Sequence, residues 1–343
     1  MRGIMIPTPV TERQYQDYMN GSLTNQTMTL QSCTNATCII FAVANVIIVV
    51  LGIAGNALVI WIAGFKVNKS VVSIWYLSLA VSDFLYCSFL PFSVVNAVQK
   101  NWVFGRFMCK FRYFMMSLNW FSSIFLLVII SLDRCVLVMF PVWAQNKRTV
   151  RKASVITMLA WIVSAALSMP MAAFRDFQLT NSSQKKMCSY KYMNGQQRIA
   201  FVTSRFVFGF VIPYLIIVVC YVMIILKLKT SQMANSKKPF KIMMALIVTF
   251  LMCWLPYHTF SLMRLNYKRY KHFLPQASNI AFTLANTNSC LNPFLYAFMG
   301  KDFKKQCFAI FSKIENAIEE DGRSTIRGTP VNTSGEINLS TNV

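Results

Sequence analysis

The sequence predicts an all-α membrane protein, a seven-transmembrane helix bundle with a short amphipathic helix 8 after it. Three observations carry that expectation. Hydrophobic residues make up 55% of the 343-residue chain and charged residues only 13%, against about 25% charged in soluble domains. The mean hydropathy is +0.47. The apolar residues also gather into seven runs, each long enough to supply the roughly 20 residues with which a helix crosses the hydrocarbon. None of the runs alternates like a barrel strand, so helices are left to satisfy the backbone inside lipid. A disordered chain, a coiled coil and an ordinary soluble enzyme are excluded by the same composition.

Residues 1–37 form a polar segment with Asn-x-Ser/Thr glycosylation acceptors at Asn20, Asn25 and Asn35. The segment has no apolar core of signal-peptide length, so the first run, 38–65, is expected to act as an uncleaved insertion signal. Lys66 and Lys69 follow that run closely, whereas the nearest basic residue before it is Arg13. This asymmetry places the N-terminus outside and the first loop in the cytoplasm. The remaining spans lie near 73–98, 109–138, 153–173, 199–226, 240–263 and 276–299, giving a transmembrane domain over 38–300. An amphipathic helix over 301–313 and a cytoplasmic tail over 314–343 complete the chain. A further acceptor, Asn181, falls in the second outer loop. Under this topology the net charge of +23 divides into +13 outside, −1 in the membrane and +11 inside. A basic inner face follows the positive-inside bias, but a basic outer face is not required by it.

Cys87, Cys135, Cys220, Cys253 and Cys290 fall in spans or at their inner ends and read as small hydrophobes. Cys109 and Cys188 share the oxidising side, and their pairing would tether the second outer loop over the bundle. Cys33 and Cys38 also lie outside, with their connectivity open. Cys307, just past the last span, is a candidate for palmitoylation.

Ionisable residues at bilayer depth cost on the order of a few kcal/mol and mark function. Asp83 is one, with Asn56, Asn119, Ser123, Asn288, Ser289 and Asn292 at comparable depth. It is either protonated and hydrogen-bonded, or ionised around a hard cation such as Na+. Asp133 and Arg134 form a pair at the inner end of the third span, where the carboxylate is the natural partner of the guanidinium in one conformation. Interfacial snorkelling is the plainer alternative. Arg205 lies eight residues before Pro213, about 12 Å of helix, near the outer mouth. It could receive an anionic ligand group, by a bidentate pair if that group is a carboxylate, or it could snorkel upward beside Arg198. Pro91, Pro170, Pro213, Pro256 and Pro293 interrupt hydrogen-bond ladders within spans. Kinks beside bulky groups suit a helix with two packings of similar energy. No phosphate-cradling Gly loop, no His-Glu-x-x-His and no Cys-x-x-Cys pair is present, and His258 and His272 are too far apart for a metal cluster.

In their joint order and spacing these landmarks resemble the rhodopsin-like (class A) G-protein-coupled receptors across roughly residues 38–312. They are Gly55-Asn56, Leu79-Ala80 with Asp83, Asp133-Arg134, Trp161, Pro213 with Tyr221, Trp254-x-Pro256 and Asn292-Pro293-x-x-Tyr296. Within that class the chain looks like the chemoattractant branch that includes chemerin and formyl-peptide receptors. Asp133-Arg134-Cys135 replaces the commoner Asp-Arg-Tyr, as in that branch, and the runs 140–146, 237–242 and 298–305 resemble it too. Formyl-peptide receptors carry an Asp where this chain has Ser117 and a second Arg where it has Phe201, and these departures favour the chemerin side.

The resemblance implies a Cys109–Cys188 disulfide and an allosteric Na+ held by Asp83, Asn119, Ser123, Ser289 and Asn292, with no resident cofactor. It implies a ligand pocket of Met116, Ser117, Arg175, Arg205, Trp254 and Tyr257. It also implies an activation switch of Asp133, Arg134, Tyr221, Trp254, Pro256, Asn292, Pro293 and Tyr296. Arg134 would meet a Gi-type G protein after the inner half of the sixth span moves outward. Ser324, Thr325, Thr329, Thr333, Ser334, Ser340 and Thr341 in the tail would be phosphorylated by receptor kinases and bind arrestin. The leading expectation is a multi-pass plasma-membrane receptor for an extracellular chemotactic peptide or small protein whose C-terminal carboxylate approaches Arg205. Membrane lipids surround it and nucleic acid is not a partner. The alternatives are a formyl-peptide or acidic-lipid receptor of the same fold, a non-signalling decoy, and a transporter, for which no internal repeat speaks.

Overall fold

The computed structural model describes residues 36–179, 186–230, 237–270 and 272–299 with two isolated tail positions, 309 and 312, and side chains outside 237–242 and 296–299. The described chain is a bundle of helices with one small hairpin. The seven spans run over Ala36–Lys66, Val71–Gln99, Gly105–Met139, Val150–Ala173, Gly195–Thr230, Lys237–Met263 and Leu274–Met299. Each begins a few residues earlier than its hydrophobic run. Polar residues at those ends cap rather than break the helix. Ser70 and Ser73 exchange bonds in a capping box, and Asn194 Oδ1 accepts from the Gln197 N–H at 2.8 Å.

The first six spans contain helices long and apolar enough to cross a membrane, and Leu274–Met299 is not among them. Its 26 residues are long enough, but Asn279, Asn286, Asn288 and Asn292 lower its apolar content. Three of these Asn are buried against other helices: Asn286, Asn288 and Asn292. The seventh span therefore buries its polar groups among other helices, the arrangement membrane bundles use for polar groups. Large apolar side chains such as Val43, Val50, Val155, Leu159, Ile162, Val219, Leu226 and Met252 face outward. That exposure is what a lipid environment predicts.

Two of the five prolines coincide with a change in helix geometry. Pro91 splits the second span into Val71–Phe89 and Pro91–Gln99. Pro213 has no N–H to donate, and the turn before it widens to a π-turn over Val207–Val211, closed by the Ile212 N–H on the Val207 carbonyl. Pro170, Pro256 and Pro293 stay inside continuous helices.

Two of the loop elements that the sequence did not announce bear on the site. Pro141–Lys147 forms a short helix in the second inner loop. The second outer loop forms an antiparallel hairpin, β1 (Arg175–Leu179) with β2 (Lys186–Tyr190), pairing Arg175 with Tyr190 and Phe177 with Cys188. The Cys109–Cys188 disulfide, with a Cα–Cα distance of 5.7 Å, ties β2 to the outer end of the third span. The first outer loop docks on the same strand, Trp102 N–H donating to the Lys186 carbonyl at 2.8 Å and Asn101 Oδ1 accepting from the Lys186 N–H at 2.9 Å. The hairpin is thus fixed across the outer end of the bundle. The core beneath it centres on the third span, where Trp120, Phe121, Ile124 and Leu126 meet Ile217, Phe250 and Trp254.

Candidate functional site

Two polar systems run through the bundle, separated by an aromatic layer. The inner one is built on Asp83, fully buried on the second span. Asn119 Nδ2 donates to one carboxylate oxygen at 2.8 Å and Asn292 Nδ2 to the other at 2.7 Å. Ser289 Oγ donates to Asn119 Oδ1 at 3.1 Å, and Asn56 Nδ2 donates to the Ser289 carbonyl at 2.8 Å. Three spans meet at one carboxylate, and the first joins them through Asn56. Ser123 Oγ, Asn56 Oδ1 and Asn288 Oδ1 are buried without a hydrogen-bond partner among the described residues.

At the inner end, Asp133 is not paired with its neighbour Arg134. Arg148 takes both carboxylate oxygens in a bidentate pair, at 2.6 and 2.9 Å. The short helix Pro141–Lys147 delivers Arg148 to that position. In this conformation, then, Asp133 is engaged by Arg148 from the loop and leaves Arg134 to other neighbours. Among the described residues Arg134 Nε has no hydrogen-bond partner, and the guanidinium lies in electrostatic reach of Tyr76 and Tyr221. The Tyr221 hydroxyl is likewise buried without a partner among them. The side chain of Tyr296 and the tail positions, including Cys307 and the seven Ser and Thr from Ser324 to Thr341, lie outside the described residues, as do Asn20, Asn25, Asn35 and Asn181. Cys38 is disulfide-bonded, and Cys33 lies outside the described residues.

The outer system is an arc of arginines held by aromatic rings. Arg205 does not snorkel toward Arg198, which instead donates to the Arg264 carbonyl at 2.6 Å. Its guanidinium carbon lies 4.9 Å from the Trp120 ring, 5.5 Å from Phe201 and 5.9 Å from Tyr257. Its Nη1 donates to the Met171 sulfur at 3.5 Å, a weak acceptor, and its Nε has no hydrogen-bond partner among the described residues. Arg175 stands 3.4 Å from the centroids of both Tyr113 and Tyr190, with Nη1 donating to the Cys188 carbonyl at 3.4 Å and Nε unpartnered. Arg112 lies 4.0 Å from the Tyr113 centroid and donates to Ser93 Oγ, again with Nε unpartnered. Met116 and Ser117 are buried below this arc on the third span, and Ser117 Oγ has no hydrogen-bond partner.

The electrostatics of this outer end are one-sided. The carboxylates among the described residues are Asp83, Asp133 and Asp176. Asp83 and Asp133 are committed as above. Asp176 pairs with Arg106 at 2.8 Å and approaches Lys191 at 3.9 Å. The hydrogen bond and charge of Arg106 hold the Asp176 carboxyl below the usual range. No described carboxylate is paired with Arg112, Arg175 or Arg205. Cation–π contacts offset about 0.5–2 kcal/mol each, whereas an uncompensated buried charge costs several. An arc of this kind favours an incoming anion.

The aromatic layer links the arc to the inner seam. Trp120 lies 4.7 Å from His258 and 5.9 Å from Trp254, and Trp254 meets Phe250 at 6.0 Å and Tyr257 at 5.7 Å. Sequence reasoning placed Arg175, Arg205, Trp254 and Tyr257 in the pocket but missed Arg112, Tyr113, Trp120 and Tyr190. Arg112 had a readable signal, a charge one turn inside the third span from Cys109. The aromatic partners had none, because they join the site only once the hairpin is folded.

Residues 55–296 match the family described as 7 transmembrane receptor (rhodopsin family). Curated relatives include Chemerin-like receptor 1 of Homo sapiens, 41% identical over 90% of this chain and 87% of the relative. C3a anaphylatoxin chemotactic receptor of Oncorhynchus mykiss is 40% identical over 79% of this chain and 77% of its own length. Formyl peptide receptor 2 of Mus musculus is 35% identical over 83% and 86%. The chain belongs to the rhodopsin family of seven-transmembrane receptors, and it is a receptor rather than an enzyme.

Proposed function

We propose that this receptor sits in the plasma membrane with its N-terminus outside and answers an extracellular chemoattractant peptide or small protein, of which chemerin is the type. The observation that carries the reading is the arc of buried Arg112 and Arg175 with half-buried Arg205, none with a carboxylate partner among the described residues. A peptide's C-terminal carboxylate matches it in charge and in bidentate geometry. Arg205 receives that carboxylate, and Arg175 closes over it from the hairpin. The relatives whose names specify chemerin, C3a and formyl peptide support a peptide or protein ligand over a lipid.

Ligand at Arg205 bears on Trp120 and, through it, on Trp254, two residues before Pro256 on the sixth span. An agonist works by binding the open state more tightly than the closed one. The inner end then admits a Gi-type G protein at Arg134, and tail phosphorylation recruits arrestin. Na+ is an allosteric ion of the closed state. The donors fit a hard cation: one carboxylate and two hydroxyls, Asp83, Ser123 and Ser289, with Asn119 and Asn292 orienting the carboxylate through their amide N–H groups. The ion would supply a positive charge beside Asp83 that holds the spans together.

The test is competition binding with the C-terminal peptide of chemerin as free acid and as amide. On the unaltered receptor the free acid binds at least about tenfold more tightly, the range of a charged hydrogen bond. On Arg205→Gln the two forms bind alike. Equal affinities on the unaltered receptor would reject the carboxylate contact.

A further inference from the structure

We infer that Arg112 forms a second anion subsite, separate from Arg205, that takes an acidic side chain of the same peptide ligand upstream of its C-terminus. The inference rests on the reading of the site as a peptide pocket and deepens it: the ligand class becomes a peptide with two acidic groups.

Arg112 is buried on the third span with Arg175 facing it from β1, and both guanidinium carbons lie within 4.0 Å of one ring centroid, that of Tyr113. Two cations about a single ring repel each other, and the ring's one quadrupole cannot satisfy both. The other neighbours of Arg112 are the Trp102 ring at 5.5 Å and the Ser93 hydroxyl, neither of which carries charge. Its Nε remains buried without a partner among the described residues, as does that of Arg175. Of the phenols near Arg112, Tyr113 is shared with Arg175, and the Tyr86 hydroxyl is already spent as a donor to Asn286 Oδ1 at 2.6 Å.

The geometry separates this subsite from the carboxylate anchor. Arg112 touches the second span through Ser93 and the first outer loop through Trp102, while Arg205 touches the fifth and sixth spans through Phe201 and Tyr257. Arg175 and Tyr190 stand between them on paired strand positions. One anion could not satisfy both ends of such an arc. A chain that descends with its terminal carboxylate on Arg205 passes Arg175 and can present an Asp or Glu side chain to Arg112. The fixed guanidinium fork, already held at one nitrogen by Ser93, is organised for a planar carboxylate.

The experiment is affinity selection, on the purified full-length receptor, from two synthetic nonapeptide pools, one of free acids and one of amides, with bound peptides read by mass spectrometry. The unaltered receptor is expected to enrich Asp or Glu over Asn or Gln about tenfold at one or two positions upstream of the C-terminus. Arg112→Gln loses that enrichment but keeps the preference for free acids. Arg112→Lys keeps the charge and most of the enrichment, which separates a lost anion contact from a misfolded receptor. Arg205→Gln does the reverse of Arg112→Gln, losing the preference for free acids and keeping the acidic position. Absence of an acidic position on the unaltered receptor, or its persistence on Arg112→Gln, overturns the second subsite. Loss of the free-acid preference alone overturns the anchor and leaves the subsite standing. A receptor that retains no peptide from either pool overturns both.

Discussion

Arg205 keeps its charge at any working pH, and the molecule surrounds it with rings and a thioether in place of a carboxylate. The same economy of charge appears twice more. Asp83 is held by two amide N–H groups on different spans, so the carboxylate and whatever cation meets it act on the packing of the whole seam. Replacing Na+ by choline should raise agonist affinity of the unaltered receptor by about fivefold or more, a typical allosteric coupling. Asp83→Asn should show the same affinity in both salts, and competition binding reads the difference. A salt effect that survives the substitution would dissociate the ion from this residue. At the inner end, Arg148 holds Asp133 away from Arg134. Arg148→Ala would return the carboxylate to Arg134 and favour the closed state, so basal nucleotide exchange on a purified G protein should fall, by roughly fivefold or about 1 kcal/mol. An unchanged or raised basal rate would contradict the role given to Arg148.

Among the elements, the fifth span and the outer hairpin decide how ligand contact is passed on. The π-turn over Val207–Val211 sets Gly209 against the edge of Trp120. A Cβ at Gly209 would fall inside contact distance of Trp120 Cη2 and Cζ2 and reach Phe121 Cε1 at 3.0 Å, and these ring atoms have no room to withdraw. Gly209→Ala should destabilise the purified receptor by about 1–3 kcal/mol, the cost of overpacking, with a lowered Tm in detergent. Trp120→Leu in the same chain should restore most of the loss; a Tm unaffected by either change would show that the two spans do not pack as tightly as they appear. The hairpin is held by Cys109–Cys188, which closes a loop of sequence separation 79. Cys188→Ser should therefore abolish peptide binding at the cell surface, and Cys109→Ser should match it, because either change cuts the same tether. Retained binding in either variant would mean that the docked first outer loop alone positions Arg175.

In the whole molecule, the parts that were legible from sequence are those imposed by lipid. A bilayer requires long apolar helices and penalises each buried charge, so the seven spans, the Asp83 seam and Arg205 stood out without any fold in hand. The seventh span was legible despite its asparagines because they interrupt a run that is otherwise apolar and long enough to cross. What stayed hidden depends on loops. Arg148 lies 15 residues from Asp133 and reaches it only because Pro141–Lys147 folds as a helix. Arg112 and Arg175 meet at Tyr113 only because β1 and β2 pair and the disulfide sets them over the third span. Neither arrangement leaves a periodic trace in the chain. The outer end that results is a basic, aromatic-walled mouth above a polar seam, with an aromatic layer between them, and the account stands on an anion in that mouth changing the inner end. The most direct measurement is nucleotide exchange on purified Gi by the receptor in lipid nanodiscs, driven by the chemerin C-terminal peptide as free acid and as amide. The account predicts exchange with the free acid, potency at least about tenfold lower with the amide, and no difference between them on Arg205→Gln; equal potency of the two forms on the unaltered receptor would contradict it.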